Sequence, residues 1–349
     1  MKKSLLAVAV LGAMSGAAFA QVAPNNITLY GIVDAGLQST KTTTRASATA
    51  AEVSGTITGL NSGIQSGSRW GLRGSEDLGG GLRANFNLES GFSLDTGVVG
   101  QSTAGSNPRL FGRASWVGLS GGFGEVRAGR MAIFSSAFVT GTADPFGNGF
   151  SSAGWQYLSS AAGTQRNDNT IMYLSPTMSG LQGGLYYTFG EVSSPVAANT
   201  AKDNWIGGGV TYSAGPLALG LAYDTVDTST TTNRDAKWLN LAASYNFGVA
   251  TVRFGYVDED AANRTDRKGY IIGANVPLAG GVLLASYQDG EDKTSAGVKT
   301  DYSRLSLGYT YNLSRRTNVY TAFTNGKSKL VNYTSSKDRQ FSLGVRHTF

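Results

Sequence analysis

Apolar and polar residues alternate with a period of two, in runs of about ten, from one end of the chain to the other. In residues 26–37, Ile27, Leu29, Gly31, Val33, Ala35 and Leu37 fall on one side of an extended chain, and Thr28, Tyr30, Ile32 and Asp34 on the other. Residues 82–89 set Leu82, Ala84, Phe86 and Leu88 against Arg83, Asn85, Asn87 and Glu89. Residues 239–247 and 341–349 repeat the pattern, the latter with Phe341, Leu343, Val345, His347 and Phe349 against Ser342, Gly344, Arg346 and Thr348. Successive side chains of a strand point to opposite faces, so each run is a strand with one apolar and one more polar face. Nine to eleven residues, roughly the length of each run, cross a hydrocarbon layer at the usual strand tilt.

The connections are of two kinds that take turns. Short turns rich in Gly, Ser, Pro and Asn stand at 76–81, 120–124, 175–180, 213–216, 246–248, 277–281 and 312–316. Longer polar stretches lie between them, at 38–66, 93–109, 131–168, 191–203, 227–236, 258–268, 290–300 and 325–337. Seven turns and eight loops make fifteen connections and join sixteen strands. Short periplasmic turns opposite long external loops, with an even strand number, are the pattern of outer-membrane barrels. The expected fold is therefore all-β: a 16-stranded antiparallel transmembrane β-barrel with both termini on the periplasmic side. A soluble closed barrel would put its apolar faces inward, whereas here the opposite faces carry Arg, Asn, Glu and Ser.

Residues 1–20 are read as a signal peptide rather than as part of the fold. Lys2 and Lys3 supply a positive start, Leu5 to Met14 an apolar stretch, and Ala18-Phe19-Ala20 a small-residue cleavage site. The barrel domain is then 21–349. No other stretch approaches the ~18 apolar residues of a membrane helix. The net charge is +6; without Lys2 and Lys3, 27 basic and 23 acidic residues leave +4. With no basic run, that balance points away from nucleic acid. Cysteine is absent, glycine numbers 48 and proline 7, which removes disulfides and thiolate metal sites and suits a turn-rich sheet.

Aromatic residues near strand ends are expected to form interfacial girdles: Tyr186, Tyr187, Phe189, Tyr245, Phe247, Tyr309, Tyr311 and Trp116. Arginine is expensive on a lipid face, so arginines within strands belong in the lumen. With Trp70 and Leu72 outward, Arg69 and Arg73 face inward; with Ala114, Trp116 and Gly118 outward, Arg113 and Ser115 do. Arg166 closes the longest loop, where alternation does not decide its side.

The chain resembles the general porins of β-proteobacteria, including the neisserial-type and anion-selective porins. The resemblance is carried by LYGIVDAGL (29–37), SRWGLRGSEDLGGGLRANFNLESGF (68–92), VGLSGGFGEVRAGR (117–130), YNFGVA (245–250), YTYNLSRRT (309–317) and the terminal RHTF (346–349). It implies a homotrimer with three pores and a third long loop, here 131–168, folded into the lumen. PFGNGF (145–150) resembles the family's loop tip, although the acidic residue often found between Pro and Phe is missing and Asp144 precedes the Pro instead. Three constriction arginines of the anion-selective members fall on Arg69, Arg113 and Arg166. Arg73, Arg127 and Arg130 are secondary lumen candidates, with Glu125 and Asp144 as acidic partners. Phe349 resembles the signal read by the barrel-assembly machinery.

The implied function is an outer-membrane general diffusion porin, a water-filled channel for ions and small hydrophilic solutes that prefers anions. The alternative is a substrate-specific channel for small organic acids or phosphate. Expected partners are further copies of the chain, lipopolysaccharide and outer-membrane lipid, and the assembly machinery. No cofactor and no enzyme chemistry are expected. The one histidine, His347, sits on the outer face without a nucleophile or carboxylate partner. Asp258, Glu259 and Asp260 offer at most a weak calcium site.

Overall fold

The computed structural model describes residues 26–101, 108–150, 153, 166–190, 203–228, 236–261, 265–294, 296–330 and 333–349. The proposed signal peptide lies outside these residues. The strands are β1 (Thr28–Thr44), β2 (Val53–Ser62), β3 (Arg69–Gly79), β4 (Leu82–Gly91), β5 (Ala114–Gly121), β6 (Gly124–Ala132), β7 (Arg166–Leu174) and β8 (Leu181–Thr188). They continue with β9 (Asp203–Ala214), β10 (Leu217–Thr228), β11 (Ala236–Asn246), β12 (Thr251–Ala261), β13 (Thr265–Leu278), β14 (Gly281–Thr294), β15 (Lys299–Asn312), β16 (Thr317–Leu330) and β17 (Tyr333–Thr348). A π-helical turn, Ser135–Val139, and a single helical turn α1, Thr140–Ala143, follow β6.

All seventeen described strands form one antiparallel sheet that closes on itself through β1 and β17. β2 and β3 are two lengths of one stave. β1 pairs with β3 over Thr28–Ile32 and then with β2 over Ala35–Thr44. Residues 63–68 leave the wall between them, so the barrel has sixteen staves. Closure joins the first and last staves, so the sheet has no open hydrogen-bonding edge at that seam. The terminal residue completes it: Gly31 and Phe349 exchange two backbone hydrogen bonds of 3.1 Å. A Cβ on Gly31 would overlap the Phe349 ring, so the glycine makes room for the chain end.

The alternation read from the sequence is the alternation of faces. Leu185, Ile206, Leu221, Leu305 and Leu343 are exposed on the outside, while Tyr186, Ala222, Arg304, Ser306 and Ser342 are buried inside. All seven short turns stand where expected. Several of the long connections are shorter than the sequence suggested. β1 runs on to Thr44, and the connections after β12, β14 and β16 shrink to 262–264, 295–298 and 331–332. Above the lipid both faces of a strand meet water, so the pairing continues while the hydropathy pattern fades.

Two aromatic expectations are corrected. Tyr187, Phe189, Tyr245, Phe247 and Tyr311 do face outward near strand ends. Tyr186 instead turns inward, donating to Asp224 Oδ1 at 2.7 Å. Trp116 also lies inward, because it pairs in register with Asn87 and its ring lies under the Arg127 guanidinium, 4.4 Å from the centroid.

Candidate functional site

The segment after β6 runs along the inner wall. Ile133, Phe134, Val139 and Ala143 pack with Tyr186, Ala222, Ala242, Val257 and Ile271, which lie on the inner faces of β8 and β10 to β13. Phe146, Phe150 and Ala153 form a second cluster with Ile64, Leu284, Tyr320 and Ala322. Burying each aromatic ring contributes about 1.5–3 kcal/mol, so the segment is anchored at several points. Polar bonds add to this: Arg253 Nη1 donates to Gly141 O (2.7 Å), Asn275 Nδ2 to Pro145 O (2.7 Å) and Gln288 Nε2 to Ala153 O (2.7 Å). The wall beneath is cut away to receive it. A Cβ on Gly220 would meet the Phe138 carbonyl, and one on Gly273 the Pro145 ring.

The tip of the segment meets residues 63–68, which form a shelf. Phe150 N donates to Ile64 O. The shelf is tied down by Asp34, whose carboxylate accepts from Tyr320 OH (2.6 Å) and Ser66 N (2.6 Å). Asn318 Nδ2 donates to Gln65 Oε1 at 2.7 Å. Asp144, expected as an acidic partner of the lumen arginines, is buried and accepts from Phe146 N (2.8 Å) and Asn148 N (2.7 Å). Its charge shapes the tip and acts on Arg253 of the inner wall.

Arg69, Arg113 and Arg166 come together against that tip. They line one cavity of about 330 Å³ with Gln65 and Ser66 of the shelf and residues 147–150 of the tip. Arg69 opens β3, where its register with Gly91 and Ile32 places it inside with Arg73, as the alternation indicated. Arg113 is inside for a different reason from the one read in the sequence. Ala114 pairs with Glu89 and Trp116 with Asn87, so those residues face the lumen and Ser115 faces out. Arg113 precedes the strand, outside the alternation, and reaches inward to donate from Nε to Glu89 Oε1 at 2.6 Å. Arg166 opens β7 and donates from Nε to Arg113 O at 2.8 Å.

Several residues the sequence did not mark complete this wall. Glu89 bonds Arg113, lies 3.9 Å from Arg69 and accepts from Tyr30 OH at 2.9 Å. Asp168 accepts from both Arg109 and Arg130 at 2.7 Å. Five arginines against two carboxylates leave a local charge of +3. The inward position of Glu89 in the alternation was the available signal; Arg109 and Asp168 lie in or beside connections and gave none. Nearer the short turns, Arg73 lies over the Tyr30 ring (5.1 Å) and Arg127 pairs with Glu125 at 2.7 Å. His347 faces outward, with Nδ1 2.8 Å from Thr317 Oγ1. Glu259 is buried while Asp258 pairs with Lys268 at 3.3 Å, so the suggested calcium trio does not share a face.

A family model described as Gram-negative porin matches residues 7–345. The chain is 32% identical to an outer membrane porin protein of Bordetella pertussis, over 100% of each chain. It is 37% identical to outer membrane porin protein 32 of Delftia acidovorans, over 92% of this chain and 88% of that one. Among solved structures it is similar to the anion-selective porin from Comamonas acidovorans, with a TM-score of 0.75 and 29% identity over 93% of this chain and 100% of that one.

Proposed function

The chain belongs to the family of Gram-negative porins, and we propose that its pore prefers anions and is set by Arg69, Arg113 and Arg166 against the loop tip. It is a β-barrel of the outer membrane that forms a diffusion channel for small hydrophilic solutes. The observation that carries the charge preference is the single cavity shared by the three guanidiniums, the shelf and the loop tip. A charged ring sets ion preference in a pore, and low-dielectric walls focus its field on the permeating ion. Arginine keeps its charge at any physiological pH and meets carboxylate or phosphate with a planar fork. Glu89 tempers the field by pairing with Arg113. Arg73 and Arg127 extend the basic wall toward the periplasmic mouth, and Arg130 joins it beside Asp168.

The family also supports a trimer of identical subunits, lipid and lipopolysaccharide around it, and Phe349 as an assembly signal. The position of Phe349 at the closing seam suits the last role. A saturable channel for small organic acids or phosphate is the second reading. It is favoured by Arg69 and Arg166, whose Nε atoms are spent on the carbonyls of Gly67 and Arg113 while both side chains line the cavity.

The test is the reversal potential of the purified protein in a planar bilayer under a KCl gradient. Chloride preference is expected, and the variant R69S/R113S/R166S should shift it toward potassium. An unchanged potential would remove the arginines from the filter. Current that falls as a dicarboxylate is added to the wild type would favour the saturable reading.

A further inference from the structure

Asp34 is a fully buried carboxylate on the inner face of β1. Taking an ionised carboxylate out of water is costly unless charge and hydrogen bonds replace the solvent. Both are supplied here. Arg346 stands directly opposite on β17 and acts on Asp34 electrostatically. Tyr320 OH donates to Oδ1 and Ser66 N to Oδ2, each at 2.6 Å. An apolar side chain would fill the same space without that cost, so stability alone does not account for an acid at this position.

The main chain of Asp34 takes hold of the shelf as well. Gly63 N donates to Asp34 O at 2.8 Å, and the buried Ser68 Oγ accepts from Asp34 N at 3.1 Å. One residue therefore holds the shelf at both ends and, through Ser66, in the middle. Arg69 follows directly, and its Nε donates to Gly67 O at 2.9 Å, so the shelf directs its guanidinium.

Tyr320 comes from β16 and must cross β17 to reach Asp34. It crosses at Gly344, its partner in register, where a Cβ would overlap the tyrosine hydroxyl. The buried ring meets Phe150 of the loop tip edge-on, with centroids 5.2 Å apart and planes at 87°. A single side chain thus touches the anchor of the shelf through its hydroxyl and the tip through its ring. Shelf and tip are the two surfaces that bound the arginine cavity.

We propose that Asp34 and Tyr320 are positioning residues for ion selection: their shared hydrogen bond fixes the shelf relative to the loop tip and, through the shelf, sets the direction of Arg69. Both lie behind the cavity lining and act through it. The proposal rests on the reading of Arg69, Arg113 and Arg166 as the filter.

The experiment measures reversal potential under a KCl gradient, and the size limit in liposome swelling, for full-length Asp34→Asn and Tyr320→Phe proteins. Charge alone predicts that D34N prefers chloride more strongly, because a negative charge leaves the surroundings of Arg69, and that Y320F changes nothing. Positioning predicts the opposite sign for D34N and a real effect for Y320F. Both should lower the chloride-to-potassium ratio by about threefold, within the range that one hydrogen bond is worth. The size limit of Y320F should stay, because its ring still meets Phe150. In the R69S/R113S/R166S background Y320F should have no effect, since no filter is left to position. A ratio that is unchanged or raised in both variants, while R69S/R113S/R166S shifts it, overturns the positioning role and leaves the filter standing. An unshifted potential in R69S/R113S/R166S itself removes the filter, and the positioning role with it. A wider size limit with the ratio kept would make the pair a brace for the aperture and overturn its part in selection. Y320F loses a single atom from a buried ring, so it decides the matter even if D34N does not assemble.

Discussion

The two sides of the lumen obey opposite rules. From β3 to β7 the inner face is polar and charged, with Arg69, Arg73, Arg113, Arg127, Arg130 and Arg166 open to the cavity or paired beside it. From β8 to β15 much of the inner face is small or apolar: Gly220, Ala222, Ala242, Val257, Ile271, Gly273 and Leu284. A water-filled barrel would make both sides polar. The difference is what covers them. The first wall meets water, while the second meets residues 133–150 and 153 of its own chain, so on the proposed reading one half of the lumen carries the field and the other carries the obstacle.

That division predicts a large effect from the covered side. Phe134, Phe146 and Phe150 are nearly fully buried between the segment and the wall. Truncating a buried phenylalanine costs about 3–5 kcal/mol, and here the cost falls on the attachment of the segment because the sheet itself keeps its ladder. F134A/F146A/F150A should raise single-channel conductance at least twofold and admit larger neutral sugars in liposome-swelling assays, with ion preference weakened as the arginines lose their opposing surface. Unaltered conductance and size limit would show that the covered wall does not set the aperture.

The charged side should respond in selectivity and hardly at all in width. Glu89 is the carboxylate that reaches both Arg69 and Arg113. Glu89→Gln keeps the size and a hydrogen-bond acceptor but removes one negative charge from the ring. Through screened water an added unit of charge at this range is worth roughly 1 kcal/mol, or about fivefold in a permeability ratio. The chloride-to-potassium ratio should therefore rise severalfold with little change in conductance at high salt. A fall in the ratio would mean that Glu89 matters by holding Arg113 in place, and that its charge is secondary.

How much of this was legible in the sequence follows the same division. The alternation gave the faces of β1, β3, β4, β11 and β17 because lipid on one side and water on the other impose a strict pattern. It failed at Trp116, where a large apolar ring lines the lumen because Arg127 lies over it, and at Tyr186, which turns in to meet Asp224 and Phe134. Both are side chains satisfied by another side chain rather than by solvent. The shelf at 63–68 and the role of Asp34 were invisible for a related reason. They depend on Tyr320, nearly three hundred residues away, and no local pattern encodes that contact. Arg166 was found through family resemblance alone, and Arg113 was placed inward by an alternation that assigned Ala114 and Trp116 to the wrong face, since both arginines stand just where strand periodicity stops or starts.

The smallest effect should come from the mouth. Arg127 lies on the charged side but nearer the short turn between β5 and β6, paired with Glu125 and lying over Trp116. Arg127→Ala leaves the Glu125 charge uncompensated, yet far from the loop tip where the proposed constriction lies. At about 0.1 M salt the Debye length is roughly 10 Å, so the lost charge is still felt along the approach and the chloride-to-potassium ratio should fall by less than about twofold. At 1 M the Debye length is roughly 3 Å and the variant should match the wild type. Arg113→Ala, at the narrow level, should keep its effect at both concentrations, because an ion passing the tip comes within contact distance of the missing charge. If Arg127→Ala persists at 1 M as strongly as Arg113→Ala, the field that selects lies in the periplasmic mouth, and the loop tip is a size filter alone.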